Sequence, residues 1–296
     1  MTVRVSIAAL LLACSSIAGA ATDYCTNTSL TRFIDMNVAQ WQSSELEQRT
    51  ASTFAIETRS LQTRWGIEQG DDYARSFGFD WRYSIVDVAG QDSMTNGYQH
   101  HWLLPFEGRE QHAGYTLHYE IAPALALSSN ALKNPQLWGG DSLQLATGAV
   151  FQHAFSGSGD WLLGLRADHR FGDYRAYPVV GLCLRPGSDW IMQLALPDLA
   201  IRRGVGQGAW FGFFVRPAGE TWHVFSRDEQ RHSDFIYRAL AFGITGNWMV
   251  SANLRLVVEL EQHSRRELEF SLNDLTRVET DVADELGFRL RGIYRF

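Results

Sequence analysis

The sequence predicts an all-β chain closing as a single antiparallel, up-and-down transmembrane β-barrel of about 14 strands, with about 12 as the alternative. Three observations lead there. Short segments alternate at period two, and their apolar rows nearly all run in the same sense. Connections alternate between long and short when counted back from the last residue. The last strand, 282–296, ends on Phe296 with a second aromatic, Tyr294, two positions earlier.

In 282–296, Leu286, Phe288, Leu290, Gly292, Tyr294 and Phe296 share one face, and Glu285, Gly287, Arg289, Arg291, Ile293 and Arg295 the other. A half-buried strand of a soluble sheet has a similar rhythm. The Arg-rich polar face and the aromatic ending argue for lipid instead. The pattern resembles the C-terminal signal of Gram-negative outer-membrane β-barrels, where a terminal Phe closes the last strand. That resemblance implies that Tyr294 and Phe296 form an assembly signal for the barrel-assembly machinery. It also implies that outer-membrane lipid and lipopolysaccharide surround the protein.

The front of the chain has export features. Arg4 precedes an apolar run over 5–13, and Ala18, Gly19 and Ala20 form an A-x-A site, so a signal peptide over 1–20 is expected. Leu11, Ala13 and Cys14 also fit a lipoprotein box, which would put a lipid on Cys14. Both readings export the chain. Beyond residue 21 no apolar run approaches the roughly 18 residues of a membrane helix.

Composition agrees with an exported β protein. There are 10 Trp, 10 Tyr and 17 Phe, only 20% charged residues, and a net charge of −7 that gives no reason to expect nucleic acid. Lys133 is the sole lysine, so nearly all positive charge is arginine, a planar group suited to pairing carboxylates. Cys25 and Cys183 remain after signal removal. An exported protein can form disulfides, and a bond between them would pin the N-terminal tail to a strand. Nothing in their spacing brings them together, so two unpaired cysteines are the first expectation. No Cys/His cluster has metal-ligand spacing, and no cofactor is implied.

Taken in order, 21–48 is weakly patterned, a periplasmic tail or a first strand near 36–42, and the barrel is assigned to 49–296. Leu61, Thr63, Trp65 and Ile67 face out against Gln62, Arg64 and Glu68. Phe77, Phe79, Trp81, Tyr83 and Ile85 face out against Gly78, Asp80, Arg82 and Ser84. Further strands are expected near 98–106, 113–121, 142–155, 161–170, 177–185, 189–196, 208–216, 221–227, 234–245 and 248–262. The segment 125–140 is a long connection able to hold a helical turn and to fold inward. Residues 263–281 form a long acidic loop. Counting back, 263–281 is long, 246–247 short, 228–232 longer and 217–220 short. Outer-membrane barrels keep their short turns on the periplasmic side.

Sorting by face assigns Arg64, Asp80, Arg82, His118, Glu120, Arg166, Asp168, Arg255, Glu259, Glu261, Arg289 and Arg291 to the lumen. Arg289, Arg291 and Arg295 then have candidate partners in Glu259, Glu261 and the first strand. One strand conflicts. Placing Ile236, Leu240, Phe242 and Ile244 outward would also put Arg238 into lipid, at a cost of roughly 2–4 kcal/mol at mid-depth. The face with Phe235, Tyr237, Ala239, Ala241 and Gly243 is therefore expected outward, or a bulge that switches faces.

The stretch with Tyr177, Pro186, Gly187, Trp190, Leu196, Pro197 and Asp198 resembles an uncharacterised family of bacterial outer-membrane barrels, over about 49–296. The resemblance implies the fold and carries no catalytic or ligand residues. Lipid hydrolases of small barrels place a His two residues before a Ser. Here His263 and Ser264 are adjacent, and His153 and Ser156 have the wrong parity. Outer-membrane aspartyl-type proteases use rim carboxylates with an Asp/His pair, but Asp168 and His169 face opposite ways. No catalytic residue is assigned. The first functional expectation is a monomeric, porin-like passive channel for small polar solutes. A closed-lumen structural or surface-interaction barrel is the alternative, and an outer-membrane lipid hydrolase comes third.

Overall fold

The computed structural model describes residues 24–25, 32–41, 44–46, 49–89, 97–206, 208–226, 231–272 and 276–296. The expected signal peptide and Cys14 lie outside the described residues. The first stave consists of β1 (Phe33–Trp41) and β2 (Ser44–Leu46). Then come β3 (Arg49–Gln69) and β4 (Tyr73–Ala89). β5 (Gly97–Leu103) and β6 (Phe106–His112) form one stave, followed by β7 (Tyr115–Ser128), β8 (Leu143–Ser156), β9 (Gly159–Phe171) and β10 (Asp173–Leu184). β11 (Trp190–Leu196) and β12 (Leu199–Gly204) are short. β13 (Trp210–Pro217) and β14 (Glu220–Ser226) again form one stave. β15 (Arg231–Met249) and β16 (Leu254–Leu272) are long, and β17 (Thr276–Val282) with β18 (Glu285–Arg295) makes the last stave.

β18 pairs antiparallel with β1, Arg295 opposite Phe33, and this seam closes a barrel of 14 staves. Phe33 and Arg295 lie at the end that carries the turns at 70–72, 113–114, 157–158 and 250–253. By the rule that such barrels keep their short turns inside, this end is periplasmic.

Several expectations change. The barrel starts at Phe33, ahead of residue 49, because β1 supplies the seam partner of β18. The segments 208–216 and 221–227 are successive pieces of one stave. Both pair with β15, so 217–220 is an offset rather than a reversal. A strand unmarked in the sequence, β12, takes the vacated place in the count. The turn expected at 246–247 lies at 250–253. The acidic stretch 263–281 is largely strand, shared by β16 and β17.

The staves differ in height. β3 has 21 residues and β15 and β16 have 19 each, about twice the 9–11 residues that a tilted strand needs to cross a bilayer. β11 and β12 have 7 and 6. As a result the barrel is two rings. The periplasmic ring has all 14 staves. In the extracellular part β7 leaves β8 and meets β14 in a parallel bridge, Leu127 opposite His223. There the closed order is β2, β3, β4, β5, β7, β14, β15, β16 and β17, a ring of nine, with Val282 opposite Leu46 at its seam. The tips of β8–β10 end beside the outer face of β14. Gln144 donates to the Thr221 carbonyl at 2.9 Å, and the Thr221 hydroxyl donates to the Gly172 carbonyl. A side chain at Gly219 would run into the backbone of Gly172, so only glycine permits this approach.

The outward rows form an apolar belt. On β18 it runs from Phe296 to Leu286, on β16 from Leu254 to Leu260, on β15 from Trp248 to Leu240 and on β3 from Ile67 to Leu61. The next outward residues are Asp284, Gln262, Arg238 and Arg59. This is the lipid-facing pattern of an outer-membrane barrel.

On β15 the expectation is reversed: Ile236, Leu240, Phe242 and Ile244 face out, and Phe235, Tyr237 and Ala241 are buried inside. Arg238 is outward too, but it sits one step above Leu240, where the belt ends. There it pairs with Asp173 at 2.9 Å, with Glu269 at 2.6 Å and with Glu267. The bulge is on β16, at Arg265, whose φ of 53° lies in the left-handed region. It switches β16 from Val257, Glu259, Glu261 and His263 inside to Arg266 and Leu268 inside.

Candidate functional site

The barrel interior is the place to look for function, and its two ends are built differently. A ring of about eight strands has an interior just wide enough for side chains to fill. The nine-stave ring is filled in this way by Phe54, Ile56, Val86, Ala126, Trp222, Val224, Phe235, Tyr237 and Leu268, with Ala39 and Val282 at its edge. Trp222, Phe54 and Leu268 are fully buried. The Trp222 and Phe235 rings lie 5.5 Å apart, and Phe54 stacks on Tyr237 at 6.0 Å. This cluster is an apolar plug across the extracellular part of the barrel.

Of the segment expected to fold inward, 125–140, only Ala126 on β7 joins the plug. Ser129–Leu132 forms a helical turn, capped by the Ser128 hydroxyl. It packs Ala131 against Leu127 and Phe225, on the face of β14 turned away from the plug. β14 is the inserted element instead, and its remaining polar group closes the layer below. Glu220, buried, accepts from Arg82 and lies 2.7 Å from His101 Nδ1.

Beneath the plug the 14-stave ring is lined with ions. Arg64 joins Asp80 and, at 3.0 Å, Glu107. Arg166 reaches Glu120 at 2.6 Å and Asp168 at 2.9 Å. Arg170 links Asp168 at 3.2 Å to Asp198 at 2.6 Å. Glu261 is shared by Arg216 at 2.8 Å and Arg289, and Glu259 by Arg216 at 3.0 Å and Arg289 at 3.1 Å. Arg291 pairs with Asp35 on β1 across the seam. His118 Nε2 stands 2.9 Å from Gln152 Oε1, and Arg255 lies on the inward row of β16. Arg64, Asp80, Glu120, Arg166, Asp168, Glu259, Glu261, Arg289 and Arg291 lie in these ion pairs. Glu107, Asp198, Arg170, Arg216 and Glu220 join them although the sequence reading left them out. Asp198 and Arg170 sit beside turns, and Arg216 and Glu220 flank the misread offset.

The cysteines are a correction: Cys25 and Cys183 form a disulfide. Cys183 points inward on β10, so the bond holds Tyr24 and Cys25 inside the lumen. The Tyr24 amide donates to Gln193 Oε1 at 3.1 Å, and Arg185 donates to the Cys25 carbonyl at 3.1 Å. The Tyr24 ring meets His118 edge-on at 5.5 Å. Tyr24 and Cys25 pack with Val150, Leu162, Tyr177 and Val179, an apolar patch of the inner wall. This patch was the available clue in the sequence. Val150, Leu162 and Val179 are inward residues with no charge among them, and they need a cover.

The side chains weighed for hydrolysis are apart. His263 is buried inside, 2.8 Å from the Tyr237 hydroxyl, and Ser264 is outside, donating to Asp284 at 2.6 Å. Asp168 is inside among arginines, while His169 lies outside against Tyr174. His153 is exposed on the outward row of β8.

No protein-family model matches the chain, and no curated protein matches it. Among solved structures it is similar to the COG4313 outer-membrane channel from Pseudomonas putida F1, with a TM-score of 0.52 and 11% identity, covering 95% of this chain and 100% of that one. It is also similar to the P. putida toluene transporter TodX, with a TM-score of 0.41 and 8% identity over 92% of this chain and 91% of that one. The KdgM porin follows at 0.38 and 9%, over 89% and 99%. At such identities the likeness to the first is one of fold. Together with the lipid-facing belt it defines the class: this chain has the fold of an outer-membrane β-barrel.

Proposed function

We propose that the protein is a porin-like outer-membrane barrel held closed: a polar, ion-lined chamber under an apolar seal. The observation that supports this reading is the filled nine-stave ring. An ion crossing it would have to pass between Trp222, Phe54 and Leu268, which offer only the Trp222 indole N–H in place of its water. In planar bilayers the refolded protein is expected to carry no steady current at low voltage. Replacing Trp222 and Phe54 together with Ala is expected to introduce current. Steady ohmic conductance of the unmodified protein would sink the closed reading and restore the passive channel for small polar solutes.

The surface-interaction reading has one observation of its own. β3, β15, β16 and β17 carry the nine-stave ring beyond the belt, where it stands as a rigid head with outward Glu57, Arg59, Glu267 and Glu279. Silence of the double variant in bilayers, with its fold intact, would favour that role over a closed channel.

A further inference from the structure

Four inward arginines of the wide ring come with carboxylates, Arg64 with Asp80, Arg166 with Glu120, Arg216 with Glu259, and Arg291 with Asp35, and Arg202 lies over the Trp210 ring. Arg255 and Arg295 depart from this pattern. Both stand on inward rows at the periplasmic end of β16 and β18, and neither has an acidic partner among the described residues. The two are neighbours. Arg255 is opposite Ile293, which makes Arg295 its diagonal, two residues along β18. Diagonal positions on paired strands lie roughly 7–8 Å apart, within reach of long side chains. The charge acting on Arg295 is that of Arg255, and its Nε is buried without a hydrogen-bond partner. Phe33, opposite Arg295 on β1, walls the other side.

We propose that Arg255 and Arg295 form a binding site for a small oxyanion, a phosphate or carboxylate group, at the periplasmic mouth of the barrel. Like charges on neighbouring strands repel, and for the four paired arginines the chain supplies its own acid to prevent that. Here the acid is missing, and two planar forks with free N–H groups face one space. An oxyanion gives each fork an oxygen, the arrangement in which charge-assisted hydrogen bonds are strongest. Arginine suits this better than lysine because the fork keeps its direction as well as its charge. The site lies at the opposite end from the plug, so it stands whether or not the barrel conducts.

Titration calorimetry on the full protein in detergent tests it, with sodium phosphate and sodium succinate as probes in chloride buffer of constant ionic strength. Saturable binding of at least one probe is expected, and which of them binds tells phosphate from carboxylate chemistry. Arg255→Gln and Arg295→Gln are each expected to weaken binding about tenfold or more, the loss of one charge-assisted contact. Arg203→Gln, outward against Trp190, is expected to leave it unchanged. The absence of saturable binding to the unmodified protein would overturn the proposal without any variant. So would binding that survives in the double variant, or that falls equally in Arg203→Gln.

Discussion

The two rings share staves and differ in what fills them. β3 carries Phe54 and Ile56 inward in the narrow ring and Arg64 inward in the wide one. β4 changes in the same way from Val86 to Arg82 and Asp80, and β16 from Leu268 to Glu261 and Glu259. Width explains the change. Side chains from opposite walls of a nine-stave ring touch, so apolar groups can pack to density. Across 14 staves they cannot meet, and an apolar lining would face water. Arginine bridges part of that width with an apolar stem and places a charge where a carboxylate from the neighbouring stave can meet it. The narrow ring is held mainly by packing, with the buried Arg266–Glu285 pair against Phe54 and Tyr237 at its edge, and the wide ring by paired ions.

This contrast predicts where single changes hurt most. Glu261 is fully buried between Arg216 and Arg289. Glu261→Ala leaves two buried cations to share the single carboxylate of Glu259, and a loss of about 5 kcal/mol, the upper end for breaking a buried pair, is expected in urea unfolding from detergent. Removing Glu261 and Arg289 together, as Leu and Met, should recover most of it, because Arg216 keeps Glu259. A double variant as unstable as Glu261→Ala would mean that the wide ring, too, depends on packing. In the narrow ring Trp222→Ala is expected to cost about 4 kcal/mol through the cavity it leaves, with little dependence on salt. Cys25→Ser should cost about 3 kcal/mol, the usual range for a native disulfide. It should also expose the backbone at positions 24–25 to protease from the periplasmic side, while the belt and plug keep their heat-resistant mobility on gels.

The wide ring was the legible one. Where lipid is outside, the apolar row faces out on every stave, and period two sorts Arg64, Asp80, Arg166 and Glu259 without knowledge of their partners. Above the belt the sense inverts: Phe54 and Ile56 face in, Glu57 and Arg59 face out, and a lipid-outside rule reads the segment as unpatterned. The bulge at Arg265 breaks the phase of β16, so Glu267 and Glu269 beside Leu268 look like an acidic loop. Pro217 and Gly219 look like a turn but mark the offset where β13 becomes β14 and leaves the wall. Six residues of β12, Leu199 to Gly204, are too few to show alternation. Dividing one stave and missing another cancelled, so the strand number came out at 14 for partly wrong reasons. The nine-stave ring depends on the bridge from His223 to Leu127, 96 positions apart, and no local pattern encodes it.

Arg238 sits on the border between the two rings, and its energetics show which side it belongs to. From sequence its outward position looked costly, because an arginine in mid-membrane loses roughly 2–4 kcal/mol. Height removes the cost: Leu240 is the last belt residue on β15, and the guanidinium above it is ringed by Asp173, Glu267 and Glu269. Its side chain keeps 16% exposure and that of Asp173 39%, so water and salt reach the cluster. Arg238→Gln is therefore expected to cost only about 1 kcal/mol at low salt, the scale of a surface pair. Three carboxylates left together will repel, and that part of the loss should fade in 1 M NaCl, where screening acts over about 3 Å. A loss well above 3 kcal/mol that ignores salt would place Arg238 with Glu261, as a fully buried ion. The belt would then end higher on β15 than Leu240 marks it.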